Sequence, residues 1–167
     1  MRTLLAAILM IFAAARPLSA GSFGVTSPCA RSQGMGNAFV SLADDAGAPF
    51  SNPAGLVLTA SPVFWGDYAE PRGTGSLGEG RLGLVLPRSN TAFAFVGYRH
   101  AMRDRTRNIL LFSVARNLVE GTQGSFLSVG VTFKAGRLLA DRVCSTCPGR
   151  DADTRVSGDA GLVIRPL

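Results

Sequence analysis

The chain has 167 residues, of which 47% are hydrophobic and 17% charged, and its net charge is +6. Twenty glycines and sparse charge agree with a β protein. The arginines are scattered, and only Arg99, Arg103, Arg105 and Arg107 gather around one predicted turn. The positive charge is therefore typical of loops and a lumen rather than of a nucleic-acid-binding surface, and no nucleic-acid partner is predicted.

Residues 1–20 have the layout of a secretory signal peptide. Arg2 precedes a 12-residue apolar run, Leu4 to Ala15, and Pro17 ends it before the small-residue site Leu18-Ser19-Ala20. The run is too short for a membrane anchor, which needs roughly 20 apolar residues. We expect cleavage near Ala20 and export. No later apolar run approaches that length, so a mature chain that enters a membrane would do so as a closed barrel.

Residues 21–60 lack a clear hydrophobic period. We predict a compact, irregular segment with one or two short helices. The first would run from Asn37, its cap, to Ala46. The second would begin at Asn52, because an N-cap asparagine followed by Pro53 in the first turn is a typical helix start. Gly55 would limit its length.

Residues 61–167 alternate with a period of two, which predicts β-strands. In the clearest segment, Gly124–Lys134, the apolar residues are Leu127, Val129, Val131 and Phe133, and the opposite face carries Ser128, Gly130, Thr132 and Lys134. A half-buried strand of a soluble protein would alternate in the same way. The small, polar opposite face favours a barrel with lipid on its apolar side.

Six candidate strands follow from this pattern: Val63–Glu70, Arg81–Leu86, Thr91–Arg99, Asn108–Arg116, Gly124–Lys134 and Arg155–Arg165. Trp65, Tyr68 and Tyr98 would form an interfacial aromatic belt or be ordinary strand aromatics. Bacterial barrels start at about eight strands, and an open edge is not tolerated in lipid. We therefore predict an all-β fold, a partial antiparallel outer-membrane β-barrel, as the N-terminal part of a larger one. The alternatives are closure by oligomerisation and a small soluble β structure.

Two motifs with a chemical meaning elsewhere lack their partners here. Gly34-Met35-Gly36 begins like a dinucleotide fingerprint, but Phe39 occupies the third small position and no βαβ unit follows. Asp44 and Asp45 have no further acidic residue nearby in sequence, so a metal site is not expected.

The remaining reactive residues do not indicate an enzyme. His100 is the only histidine, and no G-x-S-x-G nucleophile motif occurs. Cys144 and Cys147 form a CxxC pair among loop-type residues, without the helix of a redox motif or the second ligand pair of a zinc site. We expect a local disulfide between them in an oxidising compartment, with Cys29 left over. No cofactor is predicted.

The densest signature lies in residues 30–56. Its elements are Ala30-Arg31, Gly34-Met35-Gly36, Ala38, Val40, Ala43-Asp44-Asp45, Ala48 and Asn52-Pro53-Ala54-Gly55-Leu56. Together they resemble the N-terminal signature of PorV/PorQ-type outer-membrane proteins, which are similar to the FadL-like transporters of hydrophobic compounds. Phe133-Lys134 at a strand end and the segment from Ser157 to Pro166 support the resemblance.

The resemblance implies an outer-membrane barrel whose N-terminal segment, residues 21–60, folds into the lumen as a plug. In FadL-like members apolar ligands pass through the barrel, whereas PorV-like members serve protein secretion. The implied partners are outer-membrane lipid and either hydrophobic small molecules or secreted proteins. Asp44 and Asp45 would then meet lumen arginines such as Arg165. Passage of hydrophobic molecules is the first hypothesis; a secretion adaptor and a soluble periplasmic β-domain are the alternatives.

Overall fold

The structure is a computed structural model, and it describes residues 30–36, 38–70, 76–102, 105–120, 126–140 and 151–165. The predicted signal peptide, Cys29 and the Cys144/Cys147 loop lie outside these residues. Two short helices, α1 (Ala30–Gly34) and α2 (Ala48–Ser51), precede a 3₁₀ helix, Pro53–Leu58. Six strands follow: β1 (Val63–Ala69), β2 (Ser76–Arg88), β3 (Thr91–Met102), β4 (Arg105–Glu120), β5 (Phe126–Ala140) and β6 (Asp151–Arg165).

The six strands form one antiparallel sheet in chain order, β1-β2-β3-β4-β5-β6. Among the described residues, the six predicted strands are therefore confirmed. Several strands are longer than predicted, and β4 has 16 residues instead of the nine from Asn108 to Arg116. The predicted strands ended where polar residues interrupted the apolar alternation. The strands continue past these residues because the backbone hydrogen bonds between strands do not depend on the polarity of the side chains. Within the described residues, β1 and β6 each pair on one side only, so the sheet is open.

The two faces of the sheet differ in what covers them. The inner face is the one that carries Val85, Ala94, Ser113 and Gly130, and the N-terminal segment, residues 30–36 and 38–60, lies on it mainly through α2 and the 3₁₀ helix. The outer face carries Leu84, Phe95, Phe112 and Phe133 in one row across four strands. On β5 the small and polar positions are buried and Val129, Val131 and Phe133 are exposed. The predicted division of this strand is confirmed, with the polar face inside.

The apolar core lies between the inner face and the N-terminal segment. The segment contributes four buried side chains and the sheet four more: Phe39, Ala43, Ala48, Leu56, Val85, Ala92, Ala94 and Ala115. The small alanines on β3 and β4 allow the segment to approach the sheet closely. No helix in the described part of the chain is long and apolar enough to span a membrane.

The prediction of a helix from Asn37 to Ala46 is wrong. The helix lies earlier, at α1, and residues 38–42 form turns. Gly36 has a φ of +61°, a left-handed conformation that ends a right-handed helix. The turns bring Phe39 and Ala43 onto the sheet, and this packing outweighs the weak helical pattern. Asn37 itself lies outside the described residues.

The second helix start is confirmed. Asn52 has an extended backbone, and its side-chain oxygen accepts a hydrogen bond from the backbone N–H of Ala54 at 3.2 Å. The helix is of the 3₁₀ type and continues through Gly55 to Leu58. Proline fixes the first helical position and lacks the N–H that would otherwise need a partner there.

Of the two interpretations for Trp65, Tyr68 and Tyr98, that of ordinary strand aromatics holds for Trp65 and Tyr98. Tyr68 is on the outer face and 70% exposed. Trp65 and Tyr98 belong to the inner face, where Trp65 meets the ring of Phe50 edge-on at 6.2 Å and Tyr98 is buried. Successive strand residues point to opposite sides, so an odd spacing between Trp65 and Tyr68 separates them.

Candidate functional site

Asn52 connects three parts of the molecule through one side chain. Its amide nitrogen donates to the carbonyl oxygens of Val40 and Leu162, both at 3.1 Å. Its amide oxygen caps the 3₁₀ helix at Ala54. Because Asn52 is only 7% exposed, water does not compete effectively for these bonds. The N-terminal segment is thus tied to itself and to β6 at the same point.

Hydroxyl groups of the sheet satisfy other carbonyls of the segment. Ser128 donates to the Ala54 carbonyl at 2.9 Å, and Thr132 donates to the Pro49 carbonyl at 3.4 Å. Ser113 shares a further hydrogen bond with Thr132 at 2.7 Å. An irregular buried backbone leaves groups that no ladder pairs, and each needs a partner. The need for these hydroxyl groups explains why the inner face of β4 and β5 is polar beneath the N-terminal segment.

Two glycines make the sheet flat beneath the Asn52-Pro53-Ala54-Gly55 turn. A Cβ at Gly130 would stand 2.5 Å from the carbonyl carbon of Pro53, and one at Gly161 would stand 2.9 Å from the Pro53 Cδ. Gly55 faces the Ala43 backbone with equally little space. Gly130 and Gly161 are directly paired across β5 and β6. The turn and the glycine pair therefore form one docking site.

The acidic pair is satisfied inside the N-terminal segment. The Arg31 guanidinium lies 2.6 Å from an Asp44 oxygen and 3.5 Å from an Asp45 oxygen. The hydrogen bond to Asp44 raises the pKa of Arg31 above its usual value. Asp45 also accepts from the backbone N–H of Gly47 at 2.7 Å. These contacts hold α1 against the turn that precedes α2.

The predicted pairing of Asp44 and Asp45 with Arg165 is wrong. Arg165 stacks over the ring of Phe126, with 5.2 Å between the guanidinium carbon and the ring centre. Arg31 is carried by the same segment and reaches the carboxylates without crossing the sheet. In the described ranges no group of three or more His, Cys, Asp or Glu residues is arranged to hold a metal ion.

Gly34 is the last residue of α1, Met35 and Gly36 follow it, and all three are exposed. Met35 is 36% exposed, and Gly36 ends the helix. A dinucleotide would need a strand leading into this turn, and the described residues before it belong to a helix. Their contribution is to turn the chain back towards the sheet.

An ion-paired cluster on the inner face was not predicted. The Arg81 side chain is 2% exposed and lies 2.7 Å from an Asp67 oxygen and 2.9 Å from a Glu79 oxygen. Tyr98 donates to the same Glu79 oxygen at 2.9 Å, and its ring centre is 5.3 Å from the Arg81 guanidinium carbon. A buried charge needs such partners because desolvation is costly. No signal in the sequence pointed to this cluster, because Asp67 and Arg81 meet only through the register of β1 and β2.

A second pair lies on the same face, where Lys134 of β5 bonds Asp159 of β6. The inner face therefore carries charges of both signs, and the N-terminal segment covers a neighbouring region through Asn52, Ser128 and Thr132. Chemically, these side chains of the inner face bind the backbone of the N-terminal segment and form a polar surface beside it.

We expect Asn52→Ala to weaken the docking of the N-terminal segment. The substitution removes three hydrogen bonds and leaves the Val40 and Leu162 carbonyls without this donor, at a cost of about 1–3 kcal/mol. Urea unfolding and tryptic cleavage at Arg31 measure the loss. Asn90→Ala, in the exposed β2–β3 turn, is the matched control and should leave both unchanged. Equal effects of the two variants would contradict the role of Asn52.

Gly130→Val should separate the segment from the sheet. Its Cβ overlaps the backbone of Pro53 and Ala54, and overpacking of this kind costs about 1–3 kcal/mol. Gly97→Val is the control, because its Cβ meets nothing closer than a Leu110 carbon at 3.9 Å. Faster proteolysis of the N-terminal segment in Gly130→Val alone is the expected result. Unchanged proteolysis would show that the glycine pair is not the contact surface.

No family model, curated protein or solved structure matches the chain. The likeness of residues 30–56 to PorV/PorQ-type proteins therefore stays a prediction.

Proposed function

We propose that the chain forms part of the wall of an outer-membrane β-barrel, that the N-terminal segment plugs its lumen, and that small hydrophobic molecules pass through it. The observation that carries the proposal is the polarity of the sheet. Its outer face is apolar and exposed, whereas the ion pairs and buried hydroxyls lie on its inner face, beside the apolar core that the N-terminal segment covers. A one-sided sheet of a soluble protein exposes a polar face, whereas a barrel in lipid exposes an apolar face and keeps polar and charged side chains inside.

Three rows of side chains, the apolar band, run across the outer face without a charge. Their members are Leu86, Phe93, Val114, Val131 and Ala160; Leu84, Phe95, Phe112, Phe133 and Gly158; and Gly66, Leu82, Gly97, Leu110, Ala135 and Val156. Leu110 is 69% and Val156 73% exposed. Monomeric soluble proteins rarely expose an apolar surface that extends across a whole sheet.

Arginines border the apolar band on both sides. Arg88 and Arg116 flank Thr91 at one border, and Arg99 and Arg137 flank Asn108 at the other. Thr91 and Arg99 are eight residues apart on β3, about 26 Å along the strand. At a tilt of about 40° this is about 20 Å across the membrane, comparable to the apolar zone of about 25 Å in outer-membrane barrels.

The open edges of β1 and β6 indicate that the proposed barrel contains further strands. In lipid their backbone groups would lack hydrogen-bond partners. Further strands must therefore pair with both edges, and the six strands are proposed as part of a larger barrel, in agreement with the resemblance to PorV/PorQ-type proteins.

The passage of apolar molecules is supported by an apolar strip on the inner face. Val96, Ile109 and Leu111 are buried there, and Phe50 of the N-terminal segment and Trp65 pack against them. Displacement of Phe50 would expose the strip to the lumen beside the plug. A surface of this kind offers an apolar ligand a place to bind next to a movable cover.

Phe133→Arg should destabilise the protein in the membrane by about 2–4 kcal/mol, because the middle of the apolar band would lie near the bilayer midplane. Thr154→Arg at the border of the band is the matched control, with an expected cost of about 0–1 kcal/mol. Heat-modifiable gel mobility and urea titration of full-length protein in membrane fractions measure the difference. Equal costs, or a mature chain that stays soluble without detergent, would contradict the membrane proposal.

Phe50→Ala should increase the uptake of a hydrophobic fluorophore several-fold in cells that express the full chain. The physical reason is the exposure of the Val96, Ile109 and Leu111 strip. Met35→Ala, on an exposed part of the same segment, is the control and should not change uptake. If neither variant changes uptake and secreted proteins co-purify with the chain, the adaptor function replaces passage.

A further inference from the structure

A groove of about 1100 Å³ crosses the outer face at one border of the apolar band. Small residues provide its floor, among them Gly66, Gly97 and Ala135, and Leu82 and Leu110 stand beside them. A second groove of about 420 Å³ shares Gly97, Leu110 and Ala135 and includes residues of the middle row such as Phe133. The two grooves form one apolar track from the border into the band.

The wide end of the track carries two arginines. Arg99, Asn108 and Arg137 are cross-strand neighbours on β3, β4 and β5, and all three line the larger groove. The two arginine positions are separated by two strand spacings, about 10 Å, and both residues are exposed. On the outer face of the described strands no position is Asp or Glu. Asp67 and Arg81 also line the groove, but they are paired with each other, so the net positive charge beside the apolar floor comes from Arg99 and Arg137.

We propose that this groove binds an anionic phospholipid of the surrounding membrane, an inference that rests on the membrane proposal above. The phosphate lies between Arg99 and Arg137 with the Asn108 amide as a further donor, because a guanidinium binds phosphate oxygens through paired N–H groups. One acyl chain follows the floor at Gly97 and Ala135. The net negative headgroup complements the charge, which a zwitterionic headgroup does not.

The opposite border of the apolar band has a similar pair of arginines but lacks the small residues beside them. Arg88 and Arg116 flank Thr91 in the same cross-strand arrangement, but the adjoining row there consists of bulkier side chains, Leu86, Phe93 and Val114. The two arginine pairs are thus matched in charge and spacing and differ in the small residues beside them.

The test uses full-length protein in nonionic detergent, with native mass spectrometry of bound phosphatidylglycerol and phosphatidylcholine of identical acyl chains. The unsubstituted protein should prefer phosphatidylglycerol. Arg99→Gln with Arg137→Gln should lower its affinity about thirtyfold, the loss expected for two arginines at a membrane surface. Arg88→Gln with Arg116→Gln should change it less than about threefold. Gly97→Leu, which fills the floor, should weaken binding of both lipids.

Three results would overturn the inference: equal binding of the two lipids by the unsubstituted protein, equal losses from the two arginine pairs, or displacement of the lipid by millimolar inorganic phosphate, which would indicate a free-anion site. The first and third need no variant and so do not depend on the folding of one. A chain that is embedded in the membrane yet shows any of them disproves the lipid site alone. A chain that stays soluble without detergent disproves both proposals.

Discussion

The backbone of residues 49–55 lies against a sheet, and its need for hydrogen bonds constrains the rest of the molecule. An irregular segment pairs only some of its own carbonyls, so the surface beneath it must provide donors for others. Ser128 and Thr132 of β5 do so, and the Asn52 amide of the segment donates in the other direction, to the Leu162 carbonyl of β6. The same surface must be flat enough for close approach, and the Gly130–Gly161 pair makes it flat. Where the turn docks, the positions Ser128, Gly130, Thr132 and Gly161 offer little apolar area to bury.

Along residues 127–134 of β5 the apolar residues consequently lie on the opposite face, whereas β2 to β4 also bury Val85, Val96, Ile109 and Leu111 on the inner face. Because successive residues alternate, each polar or small position inside requires its neighbours to point out, and here those neighbours are Leu, Val and Phe. In water this would expose a large apolar surface; in a bilayer it is the favourable side. The buried Arg81 cluster and the Lys134–Asp159 pair follow the same logic, since charges are tolerated on the inner face where they find partners.

The proposed activities use the two faces separately. Passage of a hydrophobic molecule concerns the inner face, where Phe50 covers an apolar strip beside the plug. The proposed lipid site lies on the outer face, where the small residues Gly97 and Ala135 line the same groove as Arg99 and Arg137. The sheet is one layer thick, so residues that serve the plug and residues that meet lipid alternate along the same strands.

The amino-acid sequence by itself determined the six strands, the face on which Leu127 to Phe133 lie, and the cap at Asn52, because period-two alternation and capping depend on residues close together in the chain. Only the tertiary structure decided how the N-terminal segment docks on the inner face, that Asp67 pairs with Arg81, that Asp44 meets Arg31 rather than Arg165, and that the first helix occupies Ala30–Gly34 instead of residues 37–46. These outcomes depend on strand register and on packing between distant segments. Alternation specifies two faces, but it is the docking of the N-terminal segment that makes the polar one the interior.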